Sequence, residues 1–394
     1  MMNTIVKRSV PRWLGRLGVG VLAVAASAAS GQTATKPASA PTSAPAVDQH
    51  GPTIKDVYAK RFLIGTAGDI PGNYSDAELA AIKQNFNVVT PENCLKPGPV
   101  HPEEGTWRYE RPDALVKWCV ENGIVVHGHT LVWHAQTNKW FFADRDKEAV
   151  TRRLKEHITT LVGHYKGKIQ SWDVANEAIN DGGNAETGRT ENLRNSQWLQ
   201  TMGPEFLTLA FKYAHEADPD AKLYYNDYNI ESGAKHASSM VLLKRLIAEG
   251  APIHGVGIQG HWNSVTLPLA AVDKAISDYA SLGLKVSISE LDVTIRGQSG
   301  GQLGRGGFGA RGPVTPPSAQ DLRTQADTYA RLFAILNKHR DTVERVTFWG
   351  LNDRRTWRFG QNPLILDADN RRKPAYTAIV DAALHPSPEP AVPK

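Results

Sequence analysis

The sequence predicts an α/β chain folded as a (β/α)8 TIM barrel, with one domain over residues 51–385. Three observations predict it. Eight short strand-like runs alternate with helical patterns across about 330 residues, the rhythm of repeated strand–helix units. The runs are continuously apolar rather than alternating, as expected of parallel strands covered on both faces. Polar and aromatic residues collect where the runs end, the barrel face on which active sites are built.

The runs are residues 61–66, 86–90, 124–130, 169–175, 222–226, 255–259, 284–289 and 345–350. Ser75-Asp-Ala-Glu78 is a capping box ahead of Leu79 and Ile82. The helical pattern over 113–122 stops at Gly123, a C-cap residue. Val150, Leu154, Ile158, Leu161 and Tyr165 form one stripe at helical spacing. The patterns over 234–249 and 269–282 stop at Gly250 and Gly283, and 324–339 carries Ala326, Tyr329, Leu332, Phe333 and Leu336. An open doubly wound sheet is the alternative. Against it, the segment after the first run has only Gly65 and Gly68 and no phosphate-loop pattern. Residues 179–198 and 296–317 break the rhythm and read as loops; the second is Gly- and Arg-rich and is expected to be disordered.

The termini carry no core. Residues 1–28 read as a signal peptide: Lys7, Arg8, Arg12 and Arg16 supply a basic region, residues 17–29 a short apolar one, and Ala26-Ser27-Ala28 a cleavage site. Residues 29–50 form an Ala/Pro/Ser/Thr-rich linker and 386–394 a Pro-rich tail. A secreted or periplasmic protein is expected, with no membrane contact after cleavage and a monomeric state. The formal charge is +5, from 45 Lys and Arg against 40 Asp and Glu. Setting aside the four leader cations leaves 41 against 40, so no basic surface argues for nucleic acid. Cys94 and Cys119 are expected as buried free thiols, Cys119 lying in a helical stripe with Leu115 and Trp118.

The chemistry is concentrated in two glutamates. One closes the run Ile169-Gln-Ser-Trp-Asp-Val-Ala-Asn-Glu177, the other Leu284-Lys-Val-Ser-Ile-Ser-Glu290. A carboxylate beside buried strand residues is costly unless something uses it. Two of them flanking one bond is the requirement of glycoside hydrolysis. Around them lie Glu92 and Asn93 after the second run, His129, Trp133 and His134 after the third, and Asn226 and Asp227 after the fifth. Gln259, His261 and Trp262 follow the sixth, Asp292 the seventh, and Trp349 and Trp357 the eighth.

In order along the chain stand Thr90-Pro-Glu-Asn93 with Lys96, Gly128-His-Thr-Leu-Val-Trp-His134, Trp172-Asp-Val-Ala-Asn-Glu177 and Tyr225-Asn-Asp-Tyr-Asn229. Gln259-Gly-His261, Ser289-Glu-Leu-Asp292 and Phe348-Trp-Gly with Trp357 complete the set. Over residues 61 to about 384 the chain resembles glycoside hydrolase family 10, the retaining endo-β-1,4-xylanases. The resemblance implies Glu177 as general acid/base and Glu290 as nucleophile, with His261 and Asp292 orienting Glu290 and Asp173 supporting the site from behind. It implies that Asn176 bonds the sugar 2-hydroxyl, and that Glu92, Asn93, Lys96, His129 and Gln136 bind the non-reducing side of the chain. Gln259 would contact the sugar near Glu290; Trp133, Trp349 and Trp357 would wall the site; Tyr228 would face the leaving group. Xylan and xylo-oligosaccharides are the implied partners, and no cofactor or metal is implied. Pro97 departs from the family, which often has an aromatic there.

Three rivals stand beside this reading. A β-1,4-glucanase would use the same fold and mechanism. A metal-dependent hydrolase would need His127, His129, His261 and Asp353 to converge on one ion. A carbohydrate-binding protein on an inactive barrel would lack a catalytic glutamate, and both are present.

Overall fold

The computed structural model describes residues 47–183, 192–295 and 316–386. The leader, most of the linker, the end of the tail and most of the Gly/Arg-rich segment therefore lie outside the described residues. Those described belong to one compact unit, 43–394.

Among the described residues nine parallel strands make up the sheet: β1 (Leu63–Ala67), β2 (Val88–Thr90), β3 (Val125–Trp133), β4 (Ser171–Asn176), β5 (Lys222–Asp227), β6 (Gly255–Ile258), β7 (His261–Asn263), β8 (Lys285–Thr294) and β9 (Val343–Phe348). Consecutive strands pair from β1 through β6, β6 pairs with β8, and β8 runs through β9 back to β1. Eight strands thus close the expected barrel. The ninth, β7, is an addition that pairs with the far end of β8, His261 opposite Asp292. That pairing explains why β8 runs on to Thr294, five residues past the expected end at Ser289.

The helices follow from caps and apolar faces. Ser75 and Glu78 form the capping box the sequence predicts, and Asp146 caps Lys147–His164 by accepting from the Ala149 amide. The helix expected from 324 begins earlier, at Ala319, because Ser318 and Asp321 form a second capping box. The segment after β4 holds two helices, Gln197–Met202 and Glu205–Ala217, the second burying Phe206, Leu207, Phe211 and Ala214. Gly128 on β3 has a packing reason: a Cβ there would lie 2.1 Å from the fully buried Trp172 ring of β4. Cys94 and Cys119 are free and buried. Among the described residues no helix is long and apolar enough to cross a membrane.

The barrel interior is polar along its axis. Arg345 of β9 is buried, with Nη1 3.5 Å from Ser171 Oγ and Nη2 3.4 Å from Ser287 Oγ. Ser171 Oγ lies 2.7 Å from His127 Nδ1, and His127 Nε2 lies 3.1 Å from Asp173 Oδ1. Asp173 Oδ2 in turn lies 2.9 Å from His129 Nδ1. This column rises toward the C-terminal ends of the strands. These buried polar side chains are tolerated because they bond to one another, although Arg345 Nε has no hydrogen-bond partner.

Candidate active site

Glu177 follows the last residue of β4 and adopts a left-handed backbone, φ 56°. For a residue with a Cβ this is uncommon and marks a position the surroundings enforce. The turn lifts the carboxyl off the strand into the space above the barrel. There Oε2 accepts from Trp133 Nε1 at 2.9 Å and Oε1 accepts from Gln259 Nε2 at 3.0 Å. His134 Nδ1 stands 4.0 Å away.

Glu290 lies within β8 and is buried. Its Oε1 accepts from Asn226 Nδ2 at 2.8 Å, and its Oε2 lies 3.3 Å from His261 Nε2. The other His261 nitrogen is 2.9 Å from Asp292 Oδ2, which also accepts from Trp357 Nε1 at 2.8 Å. Arg358 Nε approaches Asp292 Oδ1 at 3.0 Å. Burial by itself would depress the His261 imidazolium, but the Asp292 carboxylate prevails and lifts its pKa to about 9. Burial likewise works to raise the Glu290 carboxyl. The hydrogen bond from cationic His261, the neighbouring histidines and the Asn226 donor outweigh it and hold Glu290 below the ordinary carboxylate range.

The two glutamates share neighbours. Gln259 donates its side-chain amide to Glu177 at 3.0 Å, and its backbone carbonyl accepts from the Glu290 amide at 2.8 Å. Asn226 binds the Glu290 carboxylate through its side chain and receives the Glu177 amide on its carbonyl at 2.8 Å. The Asn176 side-chain amide sits between them, 2.9 Å from Asn226 and 3.4 Å from Gln259. The two carboxyls are therefore held over one spot by the ends of β4, β5, β6 and β8.

The remaining residues singled out in the sequence fall around this spot. Lys96 Nζ is 3.3 Å from Asn93 Oδ1 and 4.9 Å over the Trp133 ring. Burial lowers its pKa against the pull of Glu290 and Glu92, and burial raises that of Glu92. Trp349 is buried with its ring edge-on to His129 at 5.4 Å, while Trp357 is 48% exposed and sits 5.0 Å from His261. A half-open indole beside the imidazole that contacts Glu290 can offer a face to a sugar. Gln136 is exposed; its backbone carbonyl holds the Gly98 amide at 2.6 Å. Tyr228 lies on the other flank, its hydroxyl bonded by Arg194 Nη2 at 2.8 Å and to Asp181, with Lys235 Nζ 3.3 Å over its ring. Asp173 supports His129 and His127 rather than touching either glutamate.

The histidines do not converge. His127 and His129 are spent on Asp173, His261 on Asp292, and Asp353 on Lys373 Nζ at 2.9 Å. Among the described residues no group of three or more His, Cys, Asp and Glu is placed to hold a metal ion.

Residues 53–382 match the family model for glycosyl hydrolase family 10. The chain belongs to this family. A curated β-1,4-xylanase from Dictyoglomus thermophilum is 39% identical over 339 residues, covering 84% of this chain and 90% of that protein. Two longer curated relatives are spanned over about half their length, 47% and 49%. Among solved structures, xylanase XynB from Paenibacillus barcinonensis, complexed with a conduramine derivative, matches with a TM-score of 0.76 at 35% identity, over 84% of this chain and 99% of that one. TsXylA, an intracellular xylanase from Thermoanaerobacterium saccharolyticum solved with xylotriose, matches at 0.74 and 34%, over 84% and 99%. As a family 10 member the chain is a glycoside hydrolase of a family that acts by retention with two catalytic glutamates.

Several contacts of the site carry no assignment in the sequence reading. Asn226 stands in the Tyr225–Asn229 motif, but its bond to a carboxylate 64 residues away is a product of the barrel. Arg358, on Asp292, adjoins Trp357 and has no motif of its own. Arg194, which donates to the Glu177 carbonyl at 3.0 Å, sits in what reads as an irregular loop.

Proposed function

We propose that this family 10 enzyme cuts β-1,4-xylan within the chain, with Glu177 as general acid/base and Glu290 as nucleophile. The observation that carries the assignment is the contrast between the two carboxyls. Glu290 is buried against a cationic imidazole and an amide donor that favour its ionised form. Glu177 takes hydrogen bonds from an amide and an indole N–H, with the His134 imidazole 4.0 Å off, at the end of a left-handed turn. Retaining hydrolysis needs such a pair, one carboxylate ready to attack and one carboxyl able to exchange a proton, about 5–5.5 Å apart.

The steps follow. Glu290 attacks the anomeric carbon while Glu177 delivers its proton to the departing glycosidic oxygen. The sugar remains as an ester of Glu290 and the truncated chain leaves. Glu177, now a carboxylate, takes a proton from water as that water attacks the same carbon, and Glu290 is released ionised. Both inversions occur at one carbon, so the β configuration returns. Asn176, held between Asn226 and Gln259, is aimed at the sugar 2-hydroxyl, where a bond strengthens as the transition state forms. The chemistry calls on two carboxyls and water and on no cofactor. Xylan is supported over β-1,4-glucans by relatives named as xylanases and by the bulk of Trp349 and Trp357 beside the site. Export is supported by the leader composition of residues 1–28 alone.

A xylobioside carrying fluorine at C2 and an activated leaving group tests the nucleophile, because it is attacked but only slowly released. Mass spectrometry of the digested adduct should find the label on the peptide containing Glu290. A label on any other carboxylate would refute the assignment.

A further inference from the structure

The acid/base carboxyl is only as well aimed as the left-handed turn beneath it. Non-glycine residues leave that conformation unless their backbone groups are held there. At Glu177 and Ala178 both backbone polar groups are held, and so is the Ile179 amide. Its amide donates to the Asn226 carbonyl at 2.8 Å and its carbonyl receives Arg194 Nε at 3.0 Å. The next two amides, of Ala178 and Ile179, both donate to one atom, the Tyr225 hydroxyl oxygen, at 3.1 and 3.2 Å. The Ala178 carbonyl receives the Arg194 amide at 2.7 Å.

The Tyr225 hydroxyl can accept twice because its hydrogen is committed elsewhere. It donates to Asp227 Oδ2 at 2.6 Å. Asp227 is fully buried and its other oxygen receives Lys235 Nζ at 2.7 Å and the Tyr228 amide at 2.8 Å. The chain Lys235–Asp227–Tyr225 therefore fixes which way the hydroxyl's lone pairs point. Tyr225 is itself fully buried. A phenylalanine would fill the same core, so what the hydroxyl adds is orientation.

We propose that Tyr225, oriented by Asp227, is a positioning residue for Glu177: it pins the two amides after the glutamate and so fixes the turn that aims the acid/base carboxyl. The proposal rests on Glu177 being the acid/base. A residue that acts through the proton donor matters when the leaving group needs a proton and little when it does not.

The test measures kcat/KM on xylan and on dinitrophenyl β-xylobioside for the wild type, Tyr225→Phe and Glu177→Ala, with thermal unfolding alongside. A small misplacement of a catalytic group costs up to about a hundredfold, so Tyr225→Phe should lose about ten- to a hundredfold on xylan and less than about threefold on the activated substrate. Glu177→Ala should show the same selectivity more strongly. Equal losses of Tyr225→Phe on both substrates, or no loss on either, would overturn the proposal and leave Tyr225 a core residue. Should Tyr225→Phe not fold, Arg194→Ala reports instead, since it frees the other side of the same turn and is expected to show the same selectivity; equal losses there count against the proposal in the same way. If Glu177→Ala itself shows no selectivity, the acid/base assignment has failed and the proposal falls with it.

Discussion

Asn226→Ala removes one donor from the nucleophile and also releases the Asn176 side-chain amide that the same group holds. In the wild type Asn226 Nδ2 donates to Glu290 Oε1 at 2.8 Å from a fully buried position. A hydrogen bond to a charged group contributes about 1.5–3 kcal/mol. This one favours only the ionised form of Glu290, which is held below the ordinary carboxylate range. The sign follows. A carboxylate with a depressed pKa loses its charge as pH falls through that value, and without the donor it loses it at a higher pH. On the acidic limb of kcat/KM the variant should therefore fall below the wild type by the same free energy, about ten- to 150-fold at 1.36 kcal/mol per decade. A water entering the vacated space would put the result near the lower figure. The assay is kcat/KM against pH on dinitrophenyl xylobioside, where protonation by Glu177 is not limiting. The limb should move to higher pH, and the gap between the two profiles should narrow toward neutrality down to the pH-independent loss left by the freed Asn176. A limb that stays in place, with a uniform loss at every pH, would refute the role given to Asn226.

Glu177→Ala should lower kcat/KM on xylan by about a hundred- to ten-thousandfold while sparing activated aryl xylosides; comparable losses on both would contradict proton donation. Asp173→Ala strips the buried acceptor from His127 and His129, and a buried donor left without its partner costs about 1–3 kcal/mol. Denaturant unfolding should register that loss, and a change below about 1 kcal/mol would show the axial column to be dispensable. Glu78, bonded by Arg355 and Ser75, has its pKa lowered from 4.5 to about 2. Its contribution is present above the ordinary value and should disappear as pH falls from about 4.5 to about 2, so wild-type stability should drop faster across that window than that of Glu78→Gln. Parallel stability curves would contradict the linkage.

Much of this was legible in the residues. The apolar runs fixed eight strands to within a few positions because parallel strands covered on both faces leave a continuous signal. The strand-end polar residues named the face of the barrel, and the glutamates named the chemistry. What the sequence did not carry was anything set by closure. β7 is three residues long and exists because it meets the extension of β8. The left-handed turn at Glu177 has no glycine to announce it. Asn226 reads as one polar residue in a motif until β5 and β8 place it against Glu290. The helix Glu205–Ala217 follows Pro204 with no side-chain cap, so its start lacks the usual mark.

The most direct test follows the products. Purified protein is given soluble glucuronoxylan and, separately, carboxymethyl-cellulose, with products sized and the new reducing end watched by NMR from the first seconds. Two glutamates acting in succession at one carbon predict short xylo-oligosaccharides that appear first as the β-anomer and only later equilibrate, with the glucan untouched. A new end that appears first as the α-anomer would contradict the double displacement, and cleavage of the glucan alone would contradict the substrate.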